Sequence, residues 1–369
     1  MSWESLVSSV NLISRWVLFF ALAYRAYKTQ EKSWVLLSVA FFINAFDAES
    51  YILGSLGIEI SADLYRVISA IPNLFIAILL IWGAVHLKYG TSKLKHVLYL
   101  SVFMVASYLW LFLLAINAFE GNFTLESIFP LLAYGGAIIY FSLALKRHAI
   151  SGGGIDALFP WGLILLGALN LTYPFTRNLD WFAPVGFSLG AFFRLIASMG
   201  AVKFVFAYFS PVEASGKREI PSGAFLCYGE EEVSKKFGRL ESEPGLVMVT
   251  RGDINTLKGR INPNSAVFWI TRTKEGQLHE SPVVYAISPS NMGILVDFIT
   301  RALEEGYRIV YVDAFEYLVI ENGFESALKF LLNVKDRALT KNGTMVLVVN
   351  PNALETSQRK ILEREFSRD

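Results

Sequence analysis

Apolar positions run almost unbroken through the first 210 residues, then shorten into bursts of four or five separated by charges and turn residues. The change predicts two domains: a membrane domain at 1–210, a polar linker at 211–222 and an α/β domain at 223–369. Seven apolar stretches are each near the roughly 20 residues that a helix needs to cross a bilayer. They lie near Trp3–Tyr27, Ser33–Ser55, Asp63–Leu87, Leu94–Asn117, Ser127–Leu145, Ala157–Phe175 and Phe182–Phe209. The expectation is an all-α bundle of seven transmembrane helices. The first stretch is too long and aromatic, and too charged at its C-terminal flank, for a cleaved signal peptide.

Beyond the linker the pattern changes period. Ala224–Tyr228, Leu246–Thr250, Val267–Thr271, Ile309–Val312 and Met345–Val349 are short apolar runs without alternation, the mark of strands buried on both faces. Helical patterns lie between them, over Glu230–Leu240, from near Ser290 to Glu305, from Phe324 to about Leu339 and over Ala353–Phe366. Thr273–Val283 reads as a loop. Strands alternating with helices predict a mostly parallel sheet covered on both faces.

Charge orients the membrane domain. The first, third and fifth loops carry Arg25, Lys28, Lys32, Lys88, Lys93, Lys95, Lys146 and Arg147. The even loops carry Glu59, Glu120, Glu126 and Asp180, with Arg177 as their one base. Basic residues favour the cytoplasmic side, so the N-terminus is expected outside and the α/β domain in the cytoplasm. The protein is therefore expected in the cell membrane, as a multi-pass chain with lipid as its first partner. Asn122-Phe123-Thr124 is a glycosylation sequon in an outer loop, but Asn342-Gly343-Thr344 is another on the opposite side.

Polar residues inside apolar stretches are the first candidates for chemistry. Arg15 and Arg194 lie deep in the first and last stretches, Asp47 and Glu49 in the outer third of the second, and Arg66 at the start of the third. Ser8, Asn11 and Arg15 share a helix face, as do Asn44, Asp47 and Tyr51. Gly186, Gly190 and Arg194 are spaced by four, which predicts a close-packing face with Arg194 turned toward another helix. A lone charge at the bilayer centre costs about 3 kcal/mol or more, so these groups are expected to pair, Arg194 with Asp47 or Glu49. Two readings stay open: a polar pocket or ion path opening outward, or structural ion pairs that fix helix register. Lys203 near the end of the last stretch admits a Schiff-base reading, but it sits where a lysine snorkels to headgroups.

In the α/β part, an acid at the carboxyl end of a buried strand, Asp313, sits where open sheets place ligands. The element order is RecA-like. The position of a phosphate loop, however, reads Tyr228-Gly229-Glu230-Glu231-Glu232, with neither the glycines nor the lysine that hold phosphates. Carboxylates there complement a helix dipole and repel a nucleotide. Asp313 is expected to cap its strand or hydrogen-bond the next turn. Glu316, Tyr317, Glu321 and Asn322 mix acid, aromatic and amide without a nucleophile–base pair, which points to a surface for a protein partner or self-association rather than catalysis. One cysteine and four scattered histidines offer no disulfide framework and no zinc-like spacing. With 33 basic against 32 acidic residues, nucleic acid is not an expected partner, and no cofactor or metal is expected.

One run carries a family likeness. Ile287-Ser288-Pro289, Asp313, Phe315-Glu316-Tyr317-Leu318, Asn322-Gly323-Phe324-Glu325, Lys329-Phe330-Leu331, Asp336, Pro351, Leu354 and Leu362-Glu363-Arg364-Glu365 fall in order. Together they resemble the archaeal domain-of-unknown-function 835 family over roughly Pro221–Phe366. Asn350 before Pro351 departs from it, where an acid is expected. That family has no established activity, so the likeness implies a lineage and a fold. The architecture as a whole implies a membrane sensor or signalling protein whose cytoplasmic domain relays by protein contacts. The alternatives are a nucleotide-binding enzyme or a transporter with a regulatory domain.

Overall fold

A computed structural model describes residues 3–29, 31–46, 62–90, 92–146, 154–205, 220–257 and 259–367. The chain divides into two compact units, Met1–Ala207 and Tyr208–Asp369. Seven long helices are described in the first: α1 (Trp3–Thr29), α2 (Lys32–Phe46), α3 (Ala62–Tyr89), α4 (Leu94–Ala115), α5 (Phe123–Lys146), α6 (Leu158–Thr176) and α7 (Phe182–Val205). All except α2 are long and apolar enough to cross a membrane; the described part of α2 is a shorter apolar helix. Neighbouring pairs α1–α2, α2–α3, α3–α5, α5–α6, α6–α7 and α7–α1 pack together, so six helices close into a ring. Helix α4 stands outside it, packed mainly on α3, with most of its large apolar side chains exposed.

Glycines set the closest approaches in the ring. A Cβ at Gly162 would meet the Ala197 backbone nitrogen at 2.6 Å, and one at Gly200 would meet that of Phe159 at 2.1 Å, so α6 and α7 touch backbone to backbone. Gly135 and Gly167 do the same between α5 and α6, each Cβ 2.8 Å from the other's carbonyl. Pro130 inside α5 cannot donate to the carbonyl one turn back, that of Glu126. The indole of Trp110 donates to it instead, at 3.2 Å, tying α4 to α5.

The second unit holds a seven-stranded sheet in the order β1-β7-β6-β2-β3-β5-β4. Its strands are β1 (Gly223–Cys227), β2 (Leu246–Thr250), β3 (Ala266–Ile270), β4 (Gly276–Glu280), β5 (Val283–Ile287), β6 (Ile309–Val312) and β7 (Thr344–Val348). All pairings are parallel except β4 with β5. Strands β2, β6 and β7 are buried at every position, which is why they read as unbroken apolar runs. The first helix after β1, α8 (Glu230–Phe237), covers one face, where Val233 and Phe237 join Cys227, Met248, Val267 and Val346. On the other face Phe298 of α10 (Met292–Glu304) packs on Phe268 and Tyr285, and α12 (Phe324–Thr340) lies beside α10. The remaining helices are α9 (Ile254–Leu257), α11 (Phe315–Asn322) and α13 (Thr356–Glu365).

Several expectations need correction. Thr273–Val283 is not a loop: it holds all of β4, which pairs antiparallel with β5, a strand the sequence reading did not assign. β4 is polar and half exposed because it is the sheet edge, so it gives no apolar signal. The stretch after Asp313 is a helix, α11, and Gly323 at φ 82° ends it and begins α12; only glycine takes that angle readily. Helix α10 begins at Met292, two residues after the expected start near Ser290, and the Asn291 side chain donates to Glu275 Oε1 at 3.2 Å.

Candidate functional site

Polar side chains converge in two places. The larger is a cavity of about 270 Å³ inside the helical ring. Its walls come from the N-terminal halves of α1, α3, α5 and α7 and the C-terminal parts of α2 and α6, which all lie at one end of the bundle.

Asn11 is the hinge of this wall. Its Oδ1 accepts from Arg15 Nε one turn on, at 3.3 Å, and from Arg194 Nη1 on α7. Arg15 Nη1 also donates to the Asn44 carbonyl at 3.1 Å, and Asn44 Nδ2 donates to Tyr134 Oη at 2.8 Å. One polar network therefore runs through α7, α1, α2 and α5. Arg15 is 6% exposed and Arg194 7%, so both side chains are held almost wholly inside the protein, where they meet at Asn11 Oδ1. Across the cavity, Tyr173 Oη donates to the Gly186 carbonyl at 3.0 Å. Asn170 Nδ2 donates to the Leu166 carbonyl and Asn73 Nδ2 to that of Ser69, each along its own helix.

Toward the opposite end the ring interior is mostly aromatic, with Arg25, Thr29 and Ser33 also buried there. Trp34, Phe204, Phe159, Phe141 and Phe41 form a chain of ring contacts with centroids 5.7–6.4 Å apart, and all five are buried. Arg25, 1% exposed, lies over the Trp34 ring at 5.7 Å. Among the described residues, an aromatic layer thus lies beyond the cavity.

The sequence singled out Arg15 and Arg194, and the fold brings them together. Asp47 and Glu49 lie outside the described residues, and so does the side chain of Arg66. The glycine face preceding Arg194 packs on side chains of α6, and Arg194 itself turns to Asn11 of α1. A Cβ at Gly186 or Gly190 would come 3.3 Å from Tyr173, so these glycines make room for that ring and for the cavity, while α6 and α7 touch at Gly162 and Gly200 instead. Tyr134, Asn170, Tyr173 and Asn73 escaped sequence reasoning. Each is a polar residue in an apolar helix, and spacing within one helix does not say which helix it faces.

The second convergence is at the carboxyl ends of β1, β2, β6 and β7. Thr250 Oγ1 donates to Asp313 Oδ2 at 2.8 Å and accepts from the Gly252 N–H. Burial pushes the Asp313 carboxyl up to about 6; bonds from Thr250 and the Arg251 N–H oppose this, and Glu230 and Glu316 add to it. Glu316 Oε1 accepts from the Asn350 N–H at 2.5 Å, and the Arg251 guanidinium lies 3.8 Å over the Tyr317 ring. Glu321 pairs with Arg272, and Asn322 Nδ2 donates to the Pro289 and Leu318 carbonyls. Glu232 reaches back to the Tyr228 N–H at 2.6 Å where a phosphate loop would begin. Asp313 thus bonds Thr250 at the end of the neighbouring strand β2, where a cap on its own strand or a bond to the next turn was expected. The partner-surface residues are each engaged within the domain, and Arg251 and Thr250 belong to the cluster as well. Cys227 is buried, and burial first, then Glu232, push its thiol up to about 11, which makes it a poor nucleophile. Among the described residues no group of three or more His, Cys, Asp or Glu is placed to hold a metal ion.

A family model described as a protein of unknown function, DUF835, matches residues 228–366. The match falls on the C-terminal sheet domain, and the helical bundle lies outside it. No curated protein and no solved structure matches the chain.

Proposed function

We propose that the chain is a multi-pass membrane receptor: the bundle binds a small polar ligand from outside, and the α/β domain passes the event on by protein contacts in the cytoplasm. The observation that carries this reading is the cavity of about 270 Å³ with polar walls at one end of the ring and stacked aromatics at the other. A site open on one side and sealed on the other suits a receptor better than a conduit. The stretch Ser33–Ser55 serves as a seventh span, which puts the N-terminus outside by the loop charges and the cavity on the outer side. Helix α7 bears Arg194 in the cavity wall and is the last described helix before the α/β domain along the chain, so it is the element through which we propose the signal passes.

In the α/β domain, helix and strand order follow RecA-like domains, with Glu230–Glu232 where the phosphate loop would be. Its surface acids and aromatics, with Ile320 exposed among them, suit a protein contact better than a nucleotide. Two assays on the full chain test the reading. Reconstituted liposomes should show no solute or ion flux; sustained flux would favour the transporter. Calorimetry with magnesium and ATP or GTP at millimolar concentration should give no binding heat. Binding lost in Asp313→Ala would favour the enzyme, the second reading that the raised Asp313 carboxyl supports.

A further inference from the structure

The receptor reading leaves the ligand's chemistry open, and the hydrogen bonds that the cavity wall does not complete narrow it. Asparagines on different helices line the space: Asn11 on α1, Asn44 on α2, Asn73 on α3 and Asn170 on α6. Asn11, Asn44 and Asn170 are more than nine-tenths buried. The Nδ2 atoms of Asn44, Asn73 and Asn170 donate within the protein, to Tyr134 Oη, the Ser69 carbonyl and the Leu166 carbonyl. Among the described residues no donor reaches their Oδ1 atoms. Asn11 is the converse: its Oδ1 accepts from both arginines, and its Nδ2 meets no acceptor among the described residues. Buried amide atoms are rarely left so, because their desolvation is then uncompensated. The wall therefore presents amide acceptors on α2, α3 and α6 and an amide donor on α1.

We propose that the cavity binds a small neutral polyol, a sugar or sugar alcohol, through these asparagine amides. The inference rests on the receptor reading and goes further in naming the ligand class. A hydroxyl donates one hydrogen and accepts through two lone pairs, so it serves both the amide oxygens and Asn11 Nδ2. An ionised carboxylate only accepts, and it would set its lone pairs against those of the amide oxygens. An ammonium donates, but it would stand beside the guanidiniums of Arg15 and Arg194 in the same wall. Those two already bond Asn11, the Asn44 carbonyl and further groups, so they are fixtures of the wall. The open amide oxygens come from different helices, so the ligand's donors must point in several directions. Hydroxyls on tetrahedral carbons do so, and a flat amide does not. Leu131, Leu166, Phe182 and Phe187 supply apolar lining for the C–H faces between the hydroxyls. At about 270 Å³ the space equals the liquid volume of about nine waters, which suits a ligand of about eight to twelve heavy atoms. Once bound, it ties α1, α2, α3 and α6 through one molecule.

Titration calorimetry on the full chain in phosphatidylcholine nanodiscs, free of sugar-headed detergent, tests this. The probes are erythritol, xylitol, glucose and myo-inositol, with acetate, inorganic phosphate, choline and urea for comparison. The expected result is saturable binding of at least one polyol and no saturable heat from the comparison solutes. Asn170→Leu and Asn73→Leu keep the branched outline of the side chain and remove its polar atoms. Each should weaken binding about threefold to tenfold, the size of one neutral hydrogen bond, and the pair together roughly tenfold or more. Gly190→Leu fills the space without removing an amide and should abolish binding. Asn73 is only half-buried, so Asn73→Leu with an unchanged gel-filtration profile keeps the test decisive if the other variants fail to fold. Heat that grows with polyol concentration without saturating is the general effect of an excluded solute, and it overturns the proposal. Saturable polyol binding that survives Asn73→Leu, Asn170→Leu and Gly190→Leu places the site elsewhere and overturns it too. Saturable binding of acetate, phosphate, choline or urea alone overturns the polyol and leaves the receptor reading standing. No binding of any probe overturns the polyol as well, whereas flux through the bundle in liposomes would instead sink the receptor reading.

Discussion

The two polar convergences differ in what their side chains surround. At the strand ends, Asp313, Glu316, Tyr317, Glu321 and Asn322 each meet a partner a few ångströms away in the same domain. In the bundle, the hydrogen bonds run around a space of about 270 Å³ and leave it open. A perturbed carboxyl is thus no guide to a binding site by itself. Asp313 is raised because it is buried in its own protein's packing, whereas Arg15 and Arg194 stand in the wall of a hole.

The contrast breaks most sharply at charges with no space around them. Asp297 and Arg301 on α10 pair at 2.8 Å with both side chains fully buried. Removing one member of such a pair costs about 3–5 kcal/mol, because the other stays buried without its counter-charge. Asp297→Ala should lower the stability of the α/β unit by that amount, read as lost hydrogen-exchange protection of β3, β5 and β6 in the full chain. A loss under about 1 kcal/mol would mean that the interior there is wetter than its packing indicates.

Asp313 comes next. Its carboxyl is raised in the folded state, from 3.8 to about 6, so the folded protein holds the proton longer than the unfolded chain. Stability should be highest below about pH 4, fall between about pH 4 and 6, and stay level above. A shift of this size is worth up to roughly 3 kcal/mol. Asp313→Asn keeps an acceptor for Thr250 and should abolish the slope and raise the midpoint at pH 7. An unchanged slope in that variant would remove Asp313 as its source.

These residues also show what can be read in a sequence. The apolar runs of β2, β6 and β7 announce buried strands, and Asp313 announces a strand end, because burial on both faces leaves no alternation. The polar edge strand β4 has no such signal. Helix α11 hides between an acid and Gly323, where turn residues compete with helical spacing. Within the bundle the helix limits and the depth of Arg15 and Arg194 are legible from hydropathy. That both meet at Asn11, and that Tyr173 fills the glycine face of α7, depends on which helices neighbour each other in the ring.

On the cavity side, coupling should be smaller and pairwise. A double-mutant cycle between Asn11→Ala and Arg194→Ala should return an interaction of about 0.5–3 kcal/mol in thermal or chemical unfolding. The corresponding cycles of Arg194 with Asp47 and Glu49 decide whether an acid shares that contact. Zero coupling with Asn11 would dissolve the link between α1 and α7.

Smallest of all should be the effects at the strand-end surface. Glu316→Ala removes the acceptor for the Asn350 N–H and should cost about 1 kcal/mol. Tyr317→Ala removes the ring under Arg251 and should cost about 0.5–1 kcal/mol. If these residues serve a partner as well, its affinity should fall by more than the domain's stability does.

The contrast between an open polar end and a sealed aromatic end of one bundle is most directly measured by thiol accessibility. In a Cys227→Ser background, Ser69→Cys places a thiol in the cavity wall and Ser142→Cys places one in the fully buried aromatic half. In oriented membrane vesicles, a small membrane-impermeant thiol reagent added outside should label position 69 and should fail at position 142 from either side. Labelling of position 142 at a rate comparable to position 69, or no labelling at position 69, would contradict a cavity closed at one end and make the bundle a conduit or a solid core.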